Sequence, residues 1–383
     1  MKRPTKPEEL HLRSIVDELT NELAELQTLV NSITPVNQLL AEHHDSLVRQ
    51  YLTIRRRFDY AAFIVATYAS FEKFAENLVS AYARLAASIN KYKALPEKLT
   101  RKHIKKSAEI LFRGRLGEGR YVGIQSIDVV KNLFNCLSEV PGYVLNEPAV
   151  VAHDLNLRYD ELVSLFSDVG IDQIRNFLQR GDNIVKWYCD SNNLEAPPGS
   201  GVPIDIIQKR LDDLVERRNQ VAHRGGNPDE ILGPSEMTDL VNFIDALAKS
   251  IYALTVEVYL RNHHVKQGSA IRLQLKEGPY KNGTVVVVQR PMQTLYVGQP
   301  LFTFVDGSGA RWGRILELQV NNASTDTVDG TPTTKEETVG ISFNFKYPRS
   351  AELFVLNADD DVIWSPLPSS QKIERKNAEI GAV

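Results

Sequence analysis

The sequence predicts an α+β protein of more than one domain, in which an all-α helical bundle precedes a small all-β sandwich or barrel. Two observations lead to this prediction. From Pro7 to about Arg261, apolar residues recur at three- and four-residue spacing, as on amphipathic helices. After His263 the pattern becomes alternating and is interrupted by Gly, Pro and Asn-Gly. The predicted domains are therefore a helical domain over 1–262, a β-rich accessory domain over 266–366 and a polar tail over 367–383.

The helical part is predicted to contain a series of amphipathic helices. The first carries Val16, Leu19 and Leu23 on one side and is expected to end at Pro35, because proline breaks the hydrogen-bond ladder of a helix. The second is long and has a wide apolar stripe, which suits the centre of a bundle. It is expected from about 47 to 85, and further helices at about 101–112, 127–137, 159–166, 171–178, 204–222 and 235–260.

The C-terminal part is predicted to be an antiparallel β structure. Turn signals occur at Asn282-Gly283, Asp306-Gly307 and Asp329-Gly330. Short strands at this spacing are typical of a sandwich or barrel. The expected strands are 270–276, 284–289, 294–305, 311–320, 337–345 and 351–364.

Composition excludes several classes of protein. With 383 residues and 43% hydrophobic content, the chain can bury a substantial core. The polar N-terminus is unlike a secretory signal, and the apolar windows fall short of the roughly 20 residues of a membrane helix. Cys136 and Cys189 have neither metal-ligand spacing nor the density of a disulfide scaffold, so we expect a cytoplasmic protein. The sequence predicts no metal site and no cofactor.

One short block carries the candidate chemistry. The helix that begins near Pro203 ends in Arg218-Asn219-Gln220-Val221-Ala222-His223, and the Gly and Pro residues at 225–228 then stop it. An Arg and a His at this spacing are expected by chance, so the context must support the prediction. At about 100° per residue, Arg218 and His223 lie roughly 140° apart on the helix. The geometry therefore favours a cleft or a dimer groove over a direct contact.

Three blocks give the chain a family resemblance. They are Phe71-Glu72-Lys73-Phe74, the run 159–166 followed by Gly170, and the run 215–223. Through them, residues 45–260 resemble the HEPN superfamily, and most closely its RiboL-PSP-type HEPN ribonuclease domains. The resemblance implies a homodimeric, metal-independent endoribonuclease, often used in antiviral defence or toxin–antitoxin systems. The segment 90–156 is longer than a minimal HEPN bundle requires. The β-rich part resembles no family that we recognise.

The chemistry of this reaction suggests a role for each residue. RNA cleavage without a metal needs a proton carrier and a group that stabilises extra negative charge on the phosphate. Imidazole titrates near neutrality, which suits His223, and a guanidinium offers phosphate a planar fork of donors, which suits Arg218. We expect Asn219 to orient His223 or a phosphate, and Glu72 to orient Arg218 or His223. The alternative is structural, with His223 capping helix carbonyls and Arg218 in a surface ion pair.

A second feature is basic. The segment 91–120 holds ten Lys and Arg against three Glu, interleaved with Tyr92, His103 and Phe112 as possible stacking groups. It is either a track for an RNA backbone or a solvated helix face. The residues predicted to contact RNA are Lys102, Lys105 and Lys106 in this segment and Arg217 and Arg224 beside the catalytic block.

These observations predict an RNA-cleaving effector whose β-rich domain controls activation, oligomerisation or recognition of a trigger. The expected partners are RNA, a second copy of the chain or a higher homo-oligomer, and an antitoxin or trigger protein; no membrane is expected. The alternative is a non-catalytic module that uses the same helices for dimerisation or RNA binding.

Overall fold

The computed structural model describes residues 11–42, 45–113, 116–117, 121–223, 230–330, 337–349 and 351–364. The chain divides into two compact units, one formed by Ser14–Thr255 and the other by the chain from Val256 onward with residues 11–13. The predicted fold class is confirmed, because a helical region precedes an antiparallel β region. The limits 1–262 and 266–366 stay a prediction, and the tail 367–383 lies outside the described residues.

The helices follow one another with short connections. Most of them match predicted helices, but the sequence pattern did not predict Glu147–Val150 or Asp182–Asn192. A helix of four residues, and a helix with few buried positions, show little apolar periodicity. Within the described ranges, every helix is too short or too polar to cross a bilayer. The helices are α1 (Leu12–Ala41), α2 (Ser46–Ile89), α3 (Glu97–Arg113), α4 (Ser126–Leu137), α5 (Glu147–Val150), α6 (Tyr159–Asp168), α7 (Ile174–Arg180), α8 (Asp182–Asn192), α9 (Ile204–His223) and α10 (Pro234–Tyr259).

Helix α2 is central to the helical unit. Asp45 caps its start by accepting the N–H of Leu47 at 2.7 Å. Its apolar stripe is buried, with Phe63, Phe71 and Leu78 each 0% exposed. The helix packs against α9, which buries a stripe of its own. This packing places the C-terminal end of α9 beside the middle of α2.

Pro35 does not end the first helix. Helix α1 continues through it to Ala41. Proline removes one backbone hydrogen bond, but the turns on either side keep theirs, so the loss is local. The expectation that this helix ends at Pro35 was wrong.

A buried polar cluster ties α3 to the segment before α5. His103 is fully buried, and its Nε2 accepts the N–H of Asn146 at 2.9 Å. The Nδ1 atom lies 2.9 Å from the hydroxyl of Tyr92, which is also buried. Burial lowers the pKa of His103 to about 4, so the ring is neutral. His103 and Tyr92 are therefore structural, and of the three suggested stacking groups only Phe112 is exposed.

The β unit is antiparallel throughout. The strands are β1 (Ala270–Leu273), β2 (Leu275–Tyr280), β3 (Val285–Gln289), β4 (Leu295–Tyr296), β5 (Pro300–Val305), β6 (Gly309–Val320), β7 (Ala323–Thr325), β8 (Thr327–Val328), β9 (Thr338–Phe343) and β10 (Leu353–Leu356). The main sheet has the order β1-β10-β5-β6-β9-β3-β2, with β7 added to β6, and β4 pairs with β8 separately.

Three expected strands were too long. The range 270–276 covers β1 and the start of β2, and 294–305 is two strands separated by a turn at Gly298. The range 351–364 is a strand only near its start.

Strand β6 joins the two halves of this sheet. Its first half pairs with β5 as far as Arg314, and its second half pairs with β9 from Ile315 onward. A register shift follows Ile315, at the point where the strand changes partner. Side chains from both halves, including Leu301 and Ile341, share one buried cluster. The two halves of the sheet therefore share this core, whereas β5 and β10 are buried on both faces.

Candidate functional site

Helix α9 carries the candidate block at its C-terminal end. Leu211, Leu214 and Val215 are fully buried and fix this helix in the bundle. Beyond them, Arg218 and Asn219 are half-buried, whereas His223, the last residue of α9, is exposed. The packed half of the helix therefore supports the half that carries the candidate residues.

Arg218 is held by contacts on two sides. Its guanidinium carbon lies 5.4 Å from the centre of the Tyr68 ring, a cation–π contact with α2. Its Nη1 donates to Oδ1 of Asn219 at 3.2 Å. The same oxygen accepts the side-chain N–H of Asn156 at 2.8 Å. Asn219 therefore contacts Arg218, and its expected role in orienting His223 or a phosphate stays a prediction.

Glu72 approaches Arg218 through Tyr68. The hydroxyl of Tyr68 donates to Oε1 of Glu72 at 2.8 Å and accepts the N–H of Leu157 at 2.9 Å. Burial, and after it the hydrogen bond to Glu72, raise the pKa of Tyr68, which keeps its hydroxyl protonated. Among the described residues, the basic side chain recorded within 4 Å of Glu72 is His153, at 3.8 Å. The structure thus connects Glu72 to Arg218 indirectly.

His223 is separated from this group. Five residues advance a helix by about 7.5 Å and turn it by roughly 140°, so Arg218 and His223 of one chain point away from each other. In the described part of the chain, no hydrogen bond from His223 to another side chain is present. The geometry leaves its imidazole open to a ligand or to a second protein copy.

The side chain of Arg217 is held by contacts within the helical unit, although Arg217 neighbours Arg218 in sequence. Its side chain is 14% exposed and forms an ion pair with Asp213 at 2.7 Å. Its Nη1 also donates to the hydroxyl of Tyr60 at 3.2 Å. An RNA phosphate would have to compete with both contacts. Arg224, the other predicted RNA contact near the block, lies outside the described residues.

The predicted lysine contacts line a cleft of about 500 Å³, whose lining also includes His153. Lys102 pairs with Asp168 at 2.9 Å, and Lys106 pairs with Asp154 at 2.9 Å. Lys105 is the most exposed of the three and lies 3.9 Å from Glu109. Carboxylates from other segments therefore balance much of the positive charge that the sequence concentrates here.

A Ser-His-Asp arrangement occurs in the β unit. Asp360 lies 2.7 Å from Nε2 of His264, whose Nδ1 lies 2.9 Å from the hydroxyl of Ser269. Nucleophilic catalysis also needs a donor for the oxyanion. The backbone N–H of Ser269 is already donated to the carbonyl of His264 at 3.0 Å. We therefore interpret these three residues as a structural hydrogen-bond network in the segment after α10 and not as a hydrolase site.

Comparison with known families decides the assignment of the helical region. The model of the RiboL-PSP-HEPN family matches residues 17–256, more than half of the chain. The chain belongs to this family. No curated protein and no solved structure matches it. The resemblance expected from the sequence is confirmed, and the HEPN region begins earlier than expected, within α1.

Membership of the RiboL-PSP-HEPN family indicates a nuclease or RNA-binding module. The matched range contains all the predicted site residues, whereas nearly all of the β unit lies beyond it. Sequence reasoning missed three groups around Arg218: Tyr68, Asn156 and His153. A Tyr and a Glu four residues apart lie on one helix face, so the first was detectable in principle. The other two come from segments that carry no motif.

Proposed function

We propose that this HEPN domain is a metal-independent endoribonuclease that cleaves RNA by attack of the 2′-hydroxyl on the adjacent phosphate. The observation that carries the proposal is the supported guanidinium of Arg218, held between Tyr68 and Asn219. A permanently charged fork in a fixed position can stabilise the extra negative charge of the transition state with little reorganisation.

The proposed reaction follows from the two charged groups of the block. His223 takes the proton of the 2′-hydroxyl while its oxygen forms a bond to phosphorus. Arg218 stabilises the phosphoryl oxygens. The bond to the 5′-oxygen breaks, and that oxygen takes a proton from a second acid or from water. The products are a 2′,3′-cyclic phosphate and a 5′-hydroxyl.

The proposal includes a homodimer or a higher homo-oligomer. Within one chain, Arg218 and His223 point in different directions along α9. HEPN domains often dimerise, which would allow Arg218 of one copy and His223 of another to face one RNA strand. Such a groove would hold two equivalent sets of these residues.

Product analysis tests the reaction. Purified wild-type protein is expected to cleave single-stranded RNA in excess EDTA and to leave 2′,3′-cyclic phosphate or 3′-phosphate ends, because no step uses a metal. End-group labelling and mass spectrometry of the fragments measure this. An absolute requirement for Mg²⁺, or fragments with 5′-phosphates, would contradict the mechanism.

Substitutions of Tyr68 test the support of Arg218. Tyr68→Leu removes the ring beneath the guanidinium and should weaken RNA binding about tenfold, within the range of a desolvated cation–π contact. Tyr68→Phe keeps the ring but loses the hydrogen bonds of the hydroxyl to Glu72 and Leu157. It should therefore lose less RNA affinity than Tyr68→Leu. Fluorescence anisotropy with labelled RNA gives both affinities, and circular dichroism shows whether each variant is folded. Equal affinities for two folded variants would mean that the ring contact is unimportant.

The alternative is a non-catalytic module for RNA binding or dimerisation. It is favoured by the exposed position of His223 apart from Arg218. A protein of this kind would bind RNA without producing fragments. The product analysis therefore separates the two functions.

We further propose a cytoplasmic role in antiviral defence or toxin-mediated growth arrest, with the β unit controlling activation. RNA contacts by Lys102, Lys105, Lys106, Arg217 and Arg224 belong to this proposal. So does a partner that acts as an antitoxin or as a trigger. What supports it is the family assignment together with a second unit beyond the matched range.

A further inference from the structure

His153 lies outside the α9 block but next to its support. Its side chain is 7% exposed. One ring nitrogen, Nε2, lies 2.9 Å from Oε1 of Glu76 and 3.8 Å from Oε1 of Glu72, both on α2. The other, Nδ1, lies 2.6 Å from the carbonyl oxygen of Leu155. The ring therefore sits between acceptors on both sides.

This environment favours the doubly protonated ring. A backbone carbonyl has no proton to donate, and the partners of Nε2 are carboxylates, so an imidazolium that donates from both nitrogens satisfies every contact. The hydrogen bond to Glu76 raises the pKa of His153 more than burial lowers it. Other charged groups around it are Asp154, paired with Lys106 of α3, and Arg218 beyond Tyr68. Lys102 and Lys105 of α3 line the same cleft as His153.

We propose that His153 is a positioning residue of the RNA site: its imidazolium neutralises Glu72 and Glu76 and so keeps Glu72 bound to Tyr68 instead of to Arg218. Glu72 and Glu76 are four residues apart on one helix face, where like charges repel. Without the imidazolium, Glu72 would turn to the nearby guanidinium. Arg218 would then be neutralised and less able to bind phosphate. This consequence for RNA rests on the proposed function.

The inference gives a pH dependence with a defined sign. The supporting form of His153 is the protonated one, and its pKa in the folded protein lies above the ordinary value. RNA binding should therefore be strong at low pH and should weaken as the pH rises through that pKa. If the ring had only a structural role, the effect of His153 protonation on RNA binding would not depend on Glu72.

The binding experiment uses the full chain with His223→Ala, so that RNA is not cut and His223 does not titrate. Labelled single-stranded RNA is titrated between pH 6 and 9. Adding His153→Gln should weaken binding about tenfold at pH 6 and remove most of the pH dependence. Adding Glu72→Gln as well should restore much of the affinity, because the competing carboxylate is gone. His264→Gln, a partnered histidine of the β unit, is the matched control and should leave binding unchanged.

Failure of rescue by Glu72→Gln in a folded protein, or an unchanged pH profile in His153→Gln, would overturn the inference. A second measurement does not depend on RNA: nitrogen NMR of labelled histidines in the full chain, assigned with His153→Gln. Two N–H groups on His153 at pH 7, and a pKa lowered by about one unit in Glu76→Gln, support the proposal. A neutral ring at pH 7 refutes it. If the parent chain binds no RNA, the proposed function fails and the NMR result still decides the state of His153.

Discussion

His223→Ala and Arg218→Ala should each reduce RNA cleavage by about 10²–10³-fold, the range expected for loss of a general base or of a charge-stabilising group. His223 is exposed at the helix end, so its replacement should leave the unfolding midpoint nearly unchanged. Arg218 packs on Tyr68, and its replacement should cost about 1 kcal/mol of stability. Single-turnover cleavage assays and thermal melts measure the two effects separately.

The same helical turn offers a matched control. Gln220 is half-buried between the two residues, and Gln220→Ala should retain cleavage within about twofold. Expression in cells extends the test: wild type should arrest growth and degrade RNA, and His223→Ala should do neither. Undiminished cleavage by folded His223→Ala would remove His223 from the mechanism. RNA binding without cleavage by every protein, wild type included, would favour the binding module.

The helical unit should lose roughly 3 kcal/mol of unfolding free energy between pH 6.5 and 4 because of His103. Burial lowers the pKa of this ring to about 4, some 2.5 units below its ordinary value. Below pH 6.5 the unfolded chain binds a proton that the folded chain excludes, so stability falls with pH until both states are protonated. Urea unfolding followed by helical circular dichroism, repeated across this pH range, measures the loss.

His103→Gln provides the comparison. Glutamine can still accept the N–H of Asn146 but does not titrate. The variant should be less stable than wild type at pH 7, and the difference should shrink as the pH falls to 4. If the two proteins lose stability in parallel, another group causes the acid sensitivity. His153 works in the opposite direction, since its raised pKa gives stability that is lost only as the pH rises.

The fold was largely predictable because burial imposes a period on the sequence. The stripe of α2 and the alternation of β3 both record which side chains face a core. The failures have local causes. The sequence predicts a helix end at Pro35, but a long helix tolerates the loss of one hydrogen bond. It also predicts one strand over 294–305, but Gly298 supports a turn there.

The candidate site was predictable only where its residues are close in sequence. Arg218, Asn219 and His223 share the end of one helix, so their placement followed from the period of α9. Asn156 and His153 reach the site through packing of a distant segment, which no local pattern encodes. The role expected of Glu72, to orient Arg218 or His223, stays a prediction; in the structure Glu72 contacts Tyr68, which packs on Arg218.

The number of charged residues in a sequence segment does not by itself give the electrostatic field around that segment. Counted from the sequence alone, the segment 91–120 has a large excess of basic over acidic residues. In three dimensions, Asp168 and Asp154 approach Lys102 and Lys106 from other parts of the chain. The local field depends on these neighbours, which a sequence window does not contain. The salt dependence of RNA binding should therefore be weaker than the bare excess suggests.

The loop at 153–157, which begins in the stretch that exceeds a minimal bundle, has a further consequence for how this domain can change. Leu157 fixes the Tyr68 hydroxyl, Asn156 holds Asn219, and His153 faces Glu72. These groups lie within five positions of one another, in a loop remote in sequence from the block that they support. The loop at 153–157 and the block at 218–223 must therefore be kept together if the site is to keep its geometry. A graft of α9 alone onto a foreign bundle would transfer Arg218 without the scaffold that aims it.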